Sequence, residues 1–507
     1  MISRTTQSLL GAVGVLALAV GIAEVHPPTG QAAAPGATVR TAVSYSTRIC
    51  PPPLQGLTGS TVYSLAAPGA APAVTGSGTA SLSALAAAPA SGSPAPSASA
   101  SGAPSGAPSP SAGAAAALVS QTKIGGTTTA KAVAGDKAPA LLGTADGTTA
   151  AGFTVQQTTT GPGRTLSGTS CSAPGTDFWF VGADPVKTGT GYVELTNAEA
   201  TAADVDLQIL GTDGEADSPQ AANINVPPRS TVSLLLSTLL SPGNDATALA
   251  VHVVVHTGRI SALLHEDSTS KGADWLPSTS LGTSQTISGL PGDISDATLV
   301  VAAPGGADAD LKIQLASQNG WITPAGHESV HVKAGMAVSV PLGAITHGQP
   351  AAMRLTPSDP KQVTPVVAGI EVLRGAKGVT DTAYLAGGAP IGQRATAAGN
   401  ANGDSTLLLT AADTAAVVKV SEIGDGGTPS SANVSIQAGA TVAVPVKGPS
   451  GVYAVTVEPV SGGAVYAARM ISRTSGGGPT FTIQQLADDH STVQIPRSIQ
   501  DDSIVLH

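Results

Sequence analysis

The residues best able to do chemistry in this 507-residue sequence are few and widely spaced. Ser268-Thr-Ser-Lys271 and Ser358-Asp-Pro-Lys361 both fit the Ser-x-x-Lys pattern of serine-active penicillin-interacting enzymes. Ser317-Gln-Asn319 fits their middle motif and Lys187-Thr-Gly189 their last. Those enzymes set the nucleophilic serine at the head of a buried helix, with the Lys-Thr-Gly strand after it in the chain. Here Lys187-Thr-Gly189 precedes both serines, and both serines lie in turn-rich stretches, one holding Pro360. The order is wrong for that chemistry, and a Gly-x-Ser-x-Gly elbow is absent.

His252 and His256 stand four apart, a spacing that would share one face of a helix. Val251, Val253 and Val255 alternate with them, which marks a strand. Four residues of strand span about 13 Å, too far for one metal ion. Asp204 with Asp206, and Asp308 with Asp310, place carboxylate pairs on one face of equivalent strands, as calcium sites do. The third copy has Ala415 and Val417 there, so solvated strand faces that discourage edge pairing are the reading adopted. Trp179, Trp275 and Trp321 could stack on sugars, but they sit at different places in their units and are read as core or interdomain packing. Cys50 and Cys171 are the only cysteines. Outside the cytoplasm an isolated even pair is most simply one disulfide. No catalytic residue, metal ligand or cofactor site is expected.

The elements that must position these groups are read from a repeat. Val226-Pro-Pro-Arg-Ser-Thr-Val-Ser-Leu-Leu-Leu236 returns as Val332-Lys-Ala-Gly-Met-Ala-Val-Ser-Val-Pro-Leu342 and as Ile436-Gln-Ala-Gly-Ala-Thr-Val-Ala-Val-Pro-Val446. Val232, Val338 and Val442 hold the same place, so one unit recurs about every 105 residues. Each copy reads as a hairpin: a strand end, a Gly or Pro turn, then an alternating strand. Short strands surround each copy, six or seven per unit, in the pattern of an immunoglobulin-like sandwich. Trp275-Leu-Pro-Ser and Thr286-Ile-Ser-Gly-Leu290 read as links. Phe153-Thr-Val-Gln-Gln157 ahead of the first copy matches Phe481-Thr-Ile-Gln-Gln485 after the third, which makes the N-terminal region a fourth, divergent unit. Asp502-Ser-Ile-Val-Leu506 looks like the opening strand of a fifth.

Arg4, the apolar run Leu9–Ile22 and Gly30-Gln31-Ala32 carry the marks of a secretory signal, or of an anchor left uncleaved. Charged residues are only 11% and net charge is −10, with no basic cluster, which argues against nucleic acid. From 65 to 117 the composition collapses to Ala, Pro, Ser and Gly, too poor in apolar bulk to offset ordering entropy. The expected organisation is a signal or anchor at 1–32 and an N-terminal β domain at 40–176 with a disordered insertion at 65–117. Sandwich repeats follow at 177–290, 291–398 and 399–507.

With Cys50-Pro-Pro52, the block Cys171-Ser-Ala-Pro-Gly-Thr-Asp-Phe-Trp-Phe180 and Gly272-Ala-Asp-Trp275, the chain resembles an actinobacterial secreted family labelled only as a domain of unknown function (5719). The resemblance implies an envelope location and brings no catalytic residues. The fold expected is all-β, as tandem immunoglobulin-like sandwiches, or alternatively a propeller-like ring of β units. The function expected is a non-catalytic, secreted envelope scaffold or binding module for an envelope protein or wall polysaccharide. The N-terminal apolar segment offers membrane anchoring. The alternative is an exported hydrolase of wall polymers.

Overall fold

Alternation of apolar and polar residues marks several of the strands. In Ala203–Gly211, Ala203, Val205, Leu207 and Ile209 turn inward while Asp204 and Gln208 face solvent. Ala309–Ser317 repeats the pattern with Leu311, Ile313 and Leu315 inside and Asp310 and Lys312 outside. Each buried side chain of this size contributes about 1.5–3 kcal/mol, so one apolar face per strand suffices to drive two sheets together.

A computed structural model describes residues 39–54, 59–70, 75–85, 116–133, 138–161, 165–184, 190–241, 248–268, 270–376, 378–424, 429–475 and 477–495. The segment 1–32 and the tail strand expected at Asp502–Leu506 lie outside them. Among the described residues no helix is long and apolar enough to cross a membrane. Strands β1 (Val39–Ala42) and β36 (Thr492–Ile495) form a two-stranded sheet of their own. Residues Ala42–Ser491 make up a separate compact body.

That body holds four sandwiches. In the first, β2 (Tyr45–Cys50), β7 (Leu141–Asp146), β4 (Ala80–Ala84) and β5 (Ala117–Gln121) form one sheet. They face β6 (Gly126–Val133), β3 (Ser60–Ala67), β8 (Thr154–Thr160) and β9 (Leu166–Ser170). The second sets β10 (Asp177–Ala183), β16 (Leu249–Thr257) and β12 (Ala203–Gly211), with β13 (Gly214–Glu215) and β14 (Ile224–Val226) on β12, against a second sheet. That sheet is β15 (Ser230–Leu235), β11 (Thr190–Asn197), β17 (Ser261–Ser268) and β18 (Gly272–Leu276).

The third pairs β19 (Gln285–Leu290), β25 (Ala351–Pro357), β21 (Ala309–Ser317), β22 (Gly320–Ile322) and β23 (Ser329–Val332) with an opposing sheet. The latter is β24 (Met336–Pro341), β20 (Ile294–Ala303), β26 (Val367–Ala376) and β27 (Val379–Ala386). The fourth stacks β28 (Ala395–Asn400), β33 (Tyr453–Gly462), β30 (Ala416–Ile423) and β31 (Ser430–Ile436) on its own second sheet. This comprises β32 (Ala440–Pro445), β29 (Ser405–Ala411), β34 (Val465–Ser475) and β35 (Gly478–Leu486).

All four share one topology, so the divergent N-terminal region is a full unit. As in immunoglobulin sandwiches, the second strand pairs with the fifth and the third with the sixth. The first strand, however, joins the sixth, and the seventh joins the second. Strands one and seven have exchanged sheets relative to that fold.

Several expectations shift. The repeated stretch is not a hairpin: β14 lies on β12 in one sheet and β15 on β11 in the other. It is an arch that carries the chain between sheets, and the residue just before the fifth strand has positive φ in every unit: Gly125, Arg229, Gly335 and Gly439. The supposed links Trp275–Ser278 and Thr286–Leu290 fall largely in β18 and β19. A cut at 290 therefore severs β19 from β25 in the third sheet pair, and a cut at 398 divides β28. Within 65–117, the ends of β3 and all of β4 are ordered strand, while 71–74 and 86–115 lie outside the described residues. Phe153–Gln157 leads into the seventh strand of its unit and Phe481–Gln485 lies in the eighth of the last, so the two are not equivalent places.

The sandwiches follow one another around a closed ring. Their eighth strands, β9, β18, β27 and β35, neighbour one another in turn about its axis, and β35 returns to β9. Thus each unit is a sandwich and the four together are the ring named as the alternative. Strands nearest the axis are buried on both faces, β19 along its whole length, which erases the alternation that marks a strand in sequence.

Candidate functional site

The catalytic patterns do not converge. Lys271 sits in the turn between β17 and β18, its N–H on the Ser268 carbonyl, and its ammonium is held by both carboxylate oxygens of Glu371 at 2.8 and 3.0 Å. The Ser268 hydroxyl instead meets that of Ser270 at 3.1 Å. Ser317 closes the β21–β22 turn through Asn319 and Gly320, and Ser358 caps a loop on Asp310. Lys187-Thr-Gly189 lies outside the described residues.

His252 and His256 do occupy a strand, β16, and each has its own carboxylate. His252 bonds Asp177 at 3.0 Å and stacks on Trp179 at 3.9 Å; His256 bonds Asp206 at 2.8 Å. Asp204 accepts from Asn225, Asp308 from the Ala334 N–H, and Asp310 meets His331 at 2.8 Å. Among the described residues no group of three or more His, Cys, Asp or Glu side chains is placed to hold a metal ion. Cys50 and Cys171 form a disulfide, with 4.4 Å between Cα atoms, that ties β2 to the segment after β9 and packs in the first unit's core.

The polar groups that do converge lie at the seams between units, near the axis. At the seam of first and second units Leu54 packs on Leu263, Ala273 and Trp275, and the Gly168 N–H donates to Asp274 at 3.0 Å. At the next seam Trp179 and Val181 pack on Val300 and Ala302. Tyr384 reaches from β27 into the second unit's core and donates to Glu266 at 3.1 Å. At the third, Phe481 and Ile483 join the third unit's core, Asp381 accepts the Phe481 N–H, and Arg374 bonds Ser472 and Asp293. At the closing seam Ala66 meets Ala398 and Ala454, and buried Arg394 bonds Asp489 at 2.6 Å and the Gly69 carbonyl at 2.7 Å.

Arg469 is the extreme case. It is fully buried, on the strand pair that matches Gln484, and binds the Ala398 carbonyl, Asn400, Gln156 of the first unit and Gln484. Burial without a carboxylate lowers its pKa to about 9. The acids at the axis move the other way. Burial pushes Glu266 up to about 8, against the opposing effect of hydrogen bonds from the Asp184 N–H and Tyr384. Asp274 is raised well above the carboxylate range by burial, with Asp381 adding to the rise. Glu266 and Asp274 face each other across β17 and β18.

All three Trp serve packing between units. The Trp321 indole donates to the Ala412 carbonyl at 2.9 Å and lies under Arg354 at 4.0 Å. A Cβ on Gly439 would come within 2.5 Å of that indole, so the repeated arch of the fourth unit is fitted to the third unit's edge. Gly214 lies near Gly335 and Gly125 near Ile423 at ordinary contact distance, so the arches of the third and first units also adjoin a neighbouring unit. Arg469, Arg394, Asp489, Glu266 and the buried pair Glu194–His265 were missed by the sequence reading. For Arg469, Glu266 and Glu194–His265 the signal was a charge amid apolar strand residues, as in Val465-Tyr-Ala-Ala-Arg-Met-Ile471, while Arg394 and Asp489 lie outside the strands and gave none.

Fold and polar seams together define a ring of four β-sandwich units bound by buried polar contacts. Residues 128–447, well over half the chain, match a family of unknown function, DUF5719, and the chain belongs to that family. The match takes in the Cys171–Phe180 block and Gly272–Trp275 but not Cys50-Pro-Pro52. None of the curated proteins matches this chain.

Proposed function

We propose that this protein is a non-catalytic component of the cell envelope that acts as a rigid scaffold or binding module. One observation carries the reading. The acid, base and nucleophile patterns of the sequence do not converge among the described residues: Ser268, Ser317 and Ser358 lie in separate turns, Lys271 is held by Glu371, and His252 and His256 each pair with their own carboxylate. Catalysis needs such groups convergent and open to a substrate. The disulfide suggests an extracytoplasmic location, in keeping with the signal-like or anchor-like Leu9–Ile22. Its partner would be an envelope protein or a wall polysaccharide, and no cofactor is called for.

Crosslinking in intact cells, followed by mass spectrometry of what is captured, tests this. Reproducible recovery of one envelope component supports the scaffold. Turnover of purified cell wall, lost on changing Ser268 or Lys271, would establish the exported hydrolase in its place.

A further inference from the structure

The four seams are not alike in how the outer edge of one unit covers the next. Between second and third units the β12–β13 turn covers the arch at Gly335, and between third and fourth Trp321 of β22 fills the space beside Gly439. The fourth unit carries no strand corresponding to β13 or β22 among its described residues. Where it meets the first unit there is a groove of about 710 Å³, within the range of small-ligand sites. Its walls are Thr127, Thr128 and Thr129 of edge strand β6 on one side, and Glu422, Ser430 and the 447–452 loop on the other.

The lining has a definite chemistry. Thr127 is 7% exposed, and its hydroxyl has no hydrogen-bond partner among the described residues. Glu422 is oriented by the Lys447 N–H at 3.1 Å, and the Lys447 side chain is exposed beside it. One carboxylate and one ammonium cancel, so the groove favours neither a polyanion nor a polycation. Pro449 and Val452 are its main apolar side chains, too few to form the alternate pockets that an added peptide strand requires. Hydroxyls, a carboxylate and an ammonium within one polar groove suit a ligand that presents many hydroxyls.

We infer that this groove binds an uncharged oligosaccharide. The inference rests on the binding-module reading and narrows it to one ligand class. The full disulfide-bonded chain should be titrated calorimetrically with neutral hexose oligomers, N-acetylhexosamine oligomers, uronic-acid oligomers and a short threonine-rich peptide. A neutral oligomer of one of the first two kinds is expected to bind. Thr127→Val, Glu422→Gln and Lys447→Met should each weaken binding about tenfold, the scale of one lost hydrogen bond to a charged or buried partner. Lys447→Met is a surface change, and its unfolding midpoint should match the parent, which separates lost binding from lost fold. Binding only of the peptide or the uronic acids, binding of nothing, or equal binding by all three variants overturns the inference. Cellular crosslinks to an envelope protein without glycan binding would leave the scaffold standing and remove this site. Glycan cleavage instead of simple binding would remove the scaffold and keep the site.

Discussion

Asp206 and Glu266 belong to the same unit and carry the same functional group, yet their surroundings drive them in opposite directions. Asp206 lies on the outer face of β12, where the Asn223 N–H and then His256 hold its pKa below the usual value. Glu266 lies inside β17 near the ring axis, where burial raises its pKa to about 8. Solvent screens the outer group and makes its pairings worth little. At the axis, removal from water is the dominant cost, and each polar contact must recover part of it. The comparison assigns the ring's polar specificity to its interior seams and leaves its outer faces tolerant.

The largest effect that would break this contrast is at Arg469. Arg469→Met should lower unfolding free energy by more than about 3 kcal/mol, because Gln156, Gln484, Asn400 and the Ala398 carbonyl lose a buried donor together. Urea unfolding with an unchanged slope is the measurement; a loss below about 1 kcal/mol would show that the closing seam does not depend on it.

Opening the Cys50–Cys171 bridge by Cys50→Ala should cost about 2–5 kcal/mol, since the bridge closes a long loop of the unfolded chain. Alkylation of the native protein without reductant should label neither cysteine.

The third test is a pH profile. Glu266 holds its proton more tightly folded than unfolded, so its stabilising contribution is complete below about 4.5 and is lost as pH rises through about 8. Groups around it include Tyr384, Asp184, Asp274, and Glu371 with its partner Lys271. The denaturation midpoint should fall between pH 5 and 9, and Glu266→Gln should flatten much of that fall. Asp206 predicts the reverse slope, present above its unfolded pKa and lost in acid, so a profile unaltered in Glu266→Gln would void the contrast.

Gly439→Ala should cost about 1–2 kcal/mol, because its φ of 65° disfavours a side chain and the new methyl meets Trp321. A double change with Trp321→Ala should recover part of it, read by thermal unfolding. Smallest of all, His256→Ala on the outer face should stay within about 0.5 kcal/mol.

Much of the fold was legible from short-range pattern. Alternation along β12, β16 and β21 placed those strands, and the spacing of Val232, Val338 and Val442 marked the unit. What alternation cannot register is a strand buried on both faces. Trp275–Ser278 and Thr286–Leu290 therefore read as links, and the boundary expected at 290 fell one strand late, after β19.

The same limit governs the site. Residues, spacings and compartment were enough to pair Cys50 with Cys171 and to separate His252 from His256, because both conclusions depend on chemistry or on distance along one strand. Whether the repeated stretch turned back as a hairpin or crossed as an arch was decided by partners far away in the chain, β12 for one limb and β11 for the other. So was the convergence of Arg469 with Gln156, which stand 313 residues apart. Sequence determines which side chains are apolar, charged or able to cross-link. Only the closed ring decides which of them lose water together, and that loss is what turns an ordinary arginine or glutamate into a clasp between units.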